Sequence, residues 1–323
     1  MSAFRRALGR VPWAYTFRRL LIAIPTMLAI ITMAFLMMRA APGGPFDGER
    51  KLPAATERAI AEKFGLDKPL HEQYFDYVGG VLVGDFGPSY KTLGKSVNDL
   101  IADGLPISLA VGGLAMLTAL IVGAGLGIFA GLRQNTAGDY SVMGLAMAGI
   151  SIPPFVTGPI LILTLALGLG WFATGGLGQF PNIGMTPYNM TLPVLTLALP
   201  QIAIISRLTR ASMIETMRSN YIRTARGKGL SERDVILRHA LPAAAMPLIS
   251  YVGPATARVM TGSVVIERIF GLPGMGSYFV DGAINRDYTL VMGAIIVYAG
   301  LIVLLNLLAD VLYAVLDPKV KYE

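Results

Sequence analysis

Cysteine is absent from all 323 residues. That excludes disulfides, thiolate nucleophiles and cysteine-ligated metals. Histidine is nearly absent: the two residues, His71 and His239, stand 168 positions apart, too far in sequence to suggest a metal site. Charge is scarce as well, at 15% of residues, against 54% hydrophobic residues and a mean hydropathy of +0.59. So little charge with abundant glycine (37) and methionine (16) points to a membrane protein rather than a soluble globule. The formal net charge of +7 does not imply nucleic acid, because the basic residues fall in blocks between apolar runs rather than on one soluble face.

A complete phosphate-binding loop is also missing. Ser89–Ser96 (SYKTLGKS) ends in Gly-Lys-Ser, but Ser89 stands where such a loop needs glycine, and no apolar strand precedes it. The chain is therefore expected to bind no nucleotide, cofactor or metal, and to be no enzyme.

Long apolar runs are what it has. Six segments, at roughly 20–38, 106–131, 141–170, 191–205, 246–266 and 289–316, are long enough to cross about 30 Å of hydrocarbon as helices. The first follows Arg18 and Arg19, is longer than a signal-peptide core and has no small-residue cleavage site after it, so it reads as an uncleaved anchor. With the N-terminus inside, the inner segments 1–19, 132–140, 206–245 and 317–323 hold 16 Lys/Arg against 6 acids. The outer segments 39–105, 171–190 and 267–288 then hold 10 against 13. The positive-inside rule accordingly favours both termini in the cytoplasm. This gives an all-α membrane protein in three parts: an inner N-terminus and first span (1–38), an outer helical segment (39–105) and a five-helix core (106–323). Two candidate amphipathic helices, AATERAIAEKFGL and PLHEQYFDYVGGVLVG, flank Asp67–Pro69 in the outer segment.

Gly123, Gly127 and Gly131 recur every four residues in the second span, the spacing that lets helix backbones approach in lipid. In the third, Ser151-Ile152-Pro153-Pro154-Phe155-Val156 places two prolines where a helix must kink or break. Irregular backbone at that depth persists only within protein or beside a watery cavity, so Ser151, Pro153, Pro154 and Phe155 are candidates for a translocation path. Arg258 and Asp310 are ionisable residues inside spans, and Arg258 joins the path candidates. They differ in depth by roughly 9 Å and are not an obvious pair. Arg258 can snorkel outward past Glu267, and Asp310 toward the inner interface. Phe270–Gly276 (FGLPGMG) lacks a phosphate-loop pattern and reads as a tight turn.

One inner segment is unusually polar. Tyr221–Pro242 (YIRTARGKGLSERDVILRHALP) carries five Lys/Arg and two acids. Gly227 and Gly229 are expected to stop one short helix after Arg226, and Ser231 to cap the next. The product is an elbow, suited to passing force from a cytoplasmic partner to the membrane.

That stretch resembles the E-A-A-x-x-x-G-x9-I-x-L-P loop of permease subunits of ABC importers. Arg223-Thr224-Ala225 stand for E-A-A, Gly229 for the glycine and Leu241-Pro242 for L-P; Arg223 replaces the glutamate and His239 the isoleucine. The form Y-I-R-T-A-R-x-K-G-L is similar to the peptide and nickel branch. RAAPGGPFDGER, GDFGPS, SVNDL, VMGLAM, GLPGMG, NRDY and DVLYAVLDPK are similar to the B subunits of bacterial oligopeptide permeases, so the likeness runs over nearly the whole chain. It implies the type I importer permease fold. It also implies a second homologous permease, two cytoplasmic ATPases carrying ATP and Mg, a periplasmic or lipid-anchored binding protein and a peptide cargo at the bacterial inner membrane. The residues it assigns to ATPase coupling are Tyr221, Arg223, Thr224, Ala225, Arg226, Lys228, Gly229 and Leu230. Dipeptides or nickel are the alternative cargoes. An ion-driven transporter is disfavoured, because that class has more spans and midplane acids. No filter loop suggests a channel.

Overall fold

The computed structural model describes residues 13–40, 62, 64–92, 94–177 and 184–316. Helix α1 is Trp13–Ala40, α2 Leu70–Leu82, α3 Val97–Leu132 and α4 Ala137–Ser151. Helix α5 is Pro154–Leu161, running on as a π-helix over Ile162–Gly168. Helix α6 is Pro187–Met217 and α7 Asn220–Gly227. Helix α8 starts at Glu232–Asp234, continues as a π-helix over Val235–Ala240 and ends at Leu241–Ala244. Helix α9 is Met246–Ile269, α10 Met275–Asn285 and α11 Tyr288–Leu316. Among the described residues there is no strand beyond an isolated bridge, Pro88 to Ser96.

Among the described residues, four helices (α1, α3, α6 and α11) are each long and apolar enough to cross a membrane, and there are up to six such crossings if each of two bent pairs counts as one span. The first bent pair is α4–α5, turned by 104° at Ile152–Pro153. Pro153 sits in the extended region (φ −62°, ψ 144°) and cannot donate, so the two prolines stop one helix and start another, as the sequence requires. The second is α8–α9, bent by 45°.

The centre is the α3–α6 pair, the most extensive helix contact among the described residues. Glycine spacing decides it: a Cβ on Gly123 would stand 2.9 Å from the Ile202 carbonyl oxygen, one on Gly127 2.5 Å from that of Ser206, and one on Gly131 2.7 Å from Met213 Cβ. The backbones therefore touch, as the four-residue spacing leads one to expect. Around this seam Val111, Ala115, Leu192, Ile205, Val259 and Phe270 form the main core.

Each long helix has one end near the charged elbow and one near an opposite cap. At the elbow end, α1 and α11 are joined by Arg19 and Asp310, 2.9 Å apart. At the other end, Thr32 and Tyr74 hydrogen-bond (2.7 Å) and fix α2 to α1. Asp287 there accepts hydrogen bonds from Ser89 Oγ and from the Tyr90 and Lys91 amides. Asp287 also receives the Leu290 amide, so one buried carboxylate caps α11 and pins the 84–96 loop. The Gly-Lys-Ser of that loop has a structural use: Ser96 and Asp99 form a capping box on α3, and Lys95 pairs with Asp103 at 2.6 Å.

Helix boundaries differ from the sequence expectation in one respect that matters. The fourth span runs 31 residues, to Met217, so residues 206–217 are not loop but a rigid continuation of α6. The expected helix AATERAIAEKFGL lies almost wholly outside the described residues.

Candidate functional site: a charged elbow and a broken helix

The elbow is built from α7, a turn at Lys228–Leu230 and α8. Its root is apolar: Ile222 and Ala225 of α7 pack with Met213, Val235, Ala240 and Ala244. Its outer face is polar and open, with Tyr221, Arg223, Thr224, Arg226, Lys228 and Leu230 exposed. Ala225 thus belongs to the buried root and the other expected coupling residues to the face. Gly229 has φ +78°, the left-handed conformation. The Gly229 amide donates to the Arg226 carbonyl (2.9 Å) and the Leu230 amide to that of Ala225 (3.4 Å), the Schellman pattern that closes a helix. Gly227, expected to break the helix, stays inside it, and Lys228 is the C-cap; the break is Gly229 alone.

Across the turn, Arg226 makes a two-pronged contact with Glu232, Nη2 to Oε1 at 2.6 Å and Nε to Oε2 at 3.1 Å. The guanidinium holds the Glu232 carboxyl below the usual carboxylate range. Ser231 caps α8 as expected, its Oγ accepting the Asp234 amide at 3.2 Å. The elbow is locally braced and offers a basic, shape-defined knob.

The break places Ser151, Pro153 and Phe155 on the surface of the chain, with Pro154 half-buried. Ser151 Oγ donates back to the Met147 carbonyl (2.8 Å), which satisfies the last turn of α4. Beside it lies an apolar groove of about 380 Å³ bounded by α3, α4 and α6. Arg258 does not run outward past Glu267. Its guanidinium lies 5.8 Å from the Tyr251 ring centre, two turns back along α9, because a cation gains from the ring face at that distance. Tyr251 in turn donates to Gln201 Oε1 at 2.7 Å.

Glu267 is an outer-loop acid by sequence, yet it is wholly buried. It accepts from Ser263 Oγ (2.7 Å) and from the Gly276 (2.8 Å) and Ser277 (3.4 Å) amides. The FGLPGMG turn is thus wrapped on a carboxylate, and Gly274 and Gly276 leave room for it: a Cβ on either would come within 2.8 Å of Glu267 Oε2. A signal exists in the sequence, as an acid beside three glycines in an apolar setting. Spacing alone cannot show which amides it meets.

Residues 123–322 match the family described as binding-protein-dependent transport system inner membrane component, and residues 13–112 match its N-terminal component. The chain belongs to this family. It is a multi-pass permease of the inner membrane. The oligopeptide transport system permease protein OppB of Escherichia coli (strain K12) is 50% identical over 308 residues, 95% of this chain and 99% of that protein. OppB of Haemophilus influenzae is 46% identical over the same shares, and the dipeptide transport system permease protein DppB of Bacillus subtilis 41%, over 95% of this chain and 97% of its own. An inward-facing structure of the MetNI methionine ABC transporter covers 68% of this chain and 96% of its own, with a TM-score of 0.57 and 16% identity. That last likeness is one of fold.

Proposed function

We propose that this permease is one of two membrane subunits of an ATP-binding-cassette importer that takes up oligopeptides. The observation that carries the reading is the elbow: a polar face braced by Arg226–Glu232, on an apolar root continuous with a long helix. Such a knob fits a groove on a cytoplasmic ATPase. Hydrolysis, with ATP and Mg, then falls to two ATPase subunits, and this chain contributes no catalytic residue. The termini and the elbow face the cytoplasm; the lysine and arginine asymmetry supports that orientation. A homologous second permease faces the broken helix, and the peptide passes between them along Ser151, Pro153, Pro154 and Phe155, with Arg258 on the α9 wall. A binding protein delivers cargo to the cap made by α2, the 84–96 loop and α10. The 50% and 46% relatives are named for oligopeptides. The 41% relative is named for dipeptides and supports a dipeptide cargo as the second reading. Competition of uptake by dipeptides and by longer peptides separates the two.

The test is docking. Gly229→Val is strained by about 1–2 kcal/mol in the left-handed conformation. Nothing lies within 4 Å of the added Cβ, so the chain still folds and inserts. The variant is expected to reach the membrane, lose the co-purifying ATPases and import no peptide. Gly229→Asn, which tolerates that backbone, retains most activity. Arg223→Ala has a small effect, as one exposed charge contributes about 0–1 kcal/mol. Normal import by Gly229→Val with its ATPases bound would remove the elbow from the coupling role.

A further inference from the structure

We infer that the ion pair between buried Asp139 and half-buried Arg210 is a mechanical link that carries movement of the elbow to the broken helix, so that both are positioning residues for transport. The inference rests on the reading of the elbow given above and deepens it. Asp139 is fully buried at the start of α4. Arg210 of α6 grips it with two parallel bonds, Nε to Oδ1 at 2.5 Å and Nη2 to Oδ2 at 2.7 Å. The Asn135 amide adds a third to Oδ2 at 2.9 Å, from a residue itself held at φ +63°. A bidentate pair fixes direction as well as distance, which one hydrogen bond does not.

What the pair joins gives it this role. On one side, Arg210 is seated on the glycine seam: a Cβ on Gly127 would lie 3.1 Å from its amide nitrogen, and one on Gly131 3.2 Å from its carbonyl oxygen. One turn further along α6, Met213 enters the elbow root beside Ile222 and Val235. The base of the elbow and the Arg210 backbone therefore move as one body. On the other side, α4 is largely exposed but packs along α6, which it meets at both ends. Only Asp139 and Ala146 of its 15 residues are buried, and near its far end a Cβ on Gly149 would stand 3.4 Å from the Leu199 carbonyl oxygen and 3.5 Å from Ala203 Cβ of α6. From Asp139 to Ser151 the helix spans about 18 Å and ends at the 104° break. A movement of α6 at the elbow is delivered to α4 at its anchored foot and carried along it to Ser151–Phe155.

The plain alternative is a pair that merely helps the chain fold. Stability gives little reason to prefer an ion pair there, since a well-packed apolar pair of similar volume often does as well. The test therefore reads coupling. The complete importer is reconstituted in proteoliposomes with wild type, Asp139→Asn, Arg210→Lys and the double variant Asp139→Cys/Arg210→Cys. Because the natural chain has no cysteine, a short bismaleimide bridges only the two introduced thiols within it, and the wild-type importer treated in the same way controls for thiols on the other subunits. Asp139→Asn and Arg210→Lys are expected to assemble with their ATPases and hydrolyse ATP, while peptide import falls about tenfold or more. The double variant should be uncoupled in the same way until crosslinked, and crosslinking should restore import. Restoration after purification is what a folding contact does not give. Import at wild-type rate by the uncrosslinked double variant, or no recovery on crosslinking, would overturn the link. So would failure of both single variants to assemble, which would make the pair a folding contact. A wild-type complex that binds no ATPase would instead overturn the function proposed above, irrespective of the pair.

Discussion

Glu267, Asp287 and Asp139 show how a carboxylate becomes structure at the scale of one residue. Each is almost without solvent, and each spends its oxygens on backbone amides, hydroxyls or a guanidinium. Removing such an acceptor leaves buried donors unmatched, which costs more than the bond itself contributed. Glu267→Ala is expected to destabilise the permease by about 2–3 kcal/mol. Glu267→Gln keeps an acceptor for the Ser263 hydroxyl or the Gly276 amide and should lose clearly less. Thermal unfolding of the detergent-purified importer reads the difference. An alanine variant melting with wild type would show that the turn does not depend on this carboxylate. In sequence these acids count only as outer- or inner-loop charge. Their partners lie as far as 198 positions away, as Ser89 does from Asp287, and no local pattern announces them.

At the scale of the element, glycine position outranks glycine content. The α3 helix carries four glycines between Gly123 and Gly131, and Gly123, Gly127 and Gly131 make the α6 seam. Gly127→Val forces a side chain into the Ser206 carbonyl and should cost about 1–3 kcal/mol by overpacking. A Cβ added at Gly125 would meet nothing within 4 Å, so Gly125→Ala should be near neutral or slightly stabilising. Membrane abundance and melting temperature of the two variants should differ accordingly, and equal behaviour would refute the seam. The break at Pro153–Pro154 is legible in the sequence because proline removes a donor whatever surrounds it. The end of α7 is not: Gly227 and Gly229 are equally permissive alone, and the apolar root of Ile222, Ala225 and Val235 decides that Gly229 takes the turn.

Over the whole molecule, polar clusters sort to two ends of the helix bundle. The elbow, Asp139–Arg210 and Arg19–Asp310 lie at one end, and α2, the Asp287 clamp and the Glu267-bound turn at the other. This arrangement agrees with the charge asymmetry, which predicts the elbow end inside the cell. Single cysteines in the naturally cysteine-free chain test it. Asp67→Cys should be labelled by an impermeant maleimide in spheroplasts, and Ser231→Cys only after permeabilisation. The reverse pattern would invert the orientation.

Composition and local chemistry by themselves determined that the chain is helical and membrane-embedded, where its third span breaks, which glycines pack and which segment is a charged elbow. These follow from short-range rules: hydrocarbon thickness, proline's missing donor, glycine's missing Cβ, and helix caps at Ser231. Only the tertiary structure decided which charges meet. Asp310 finds Arg19 rather than Arg258, Arg258 turns back to Tyr251, and Asp139 joins α4 to the shaft of the elbow. The reason is physical. Burial makes every charge seek a partner, but the partner is chosen by helix packing, and packing joins residues that are distant in sequence.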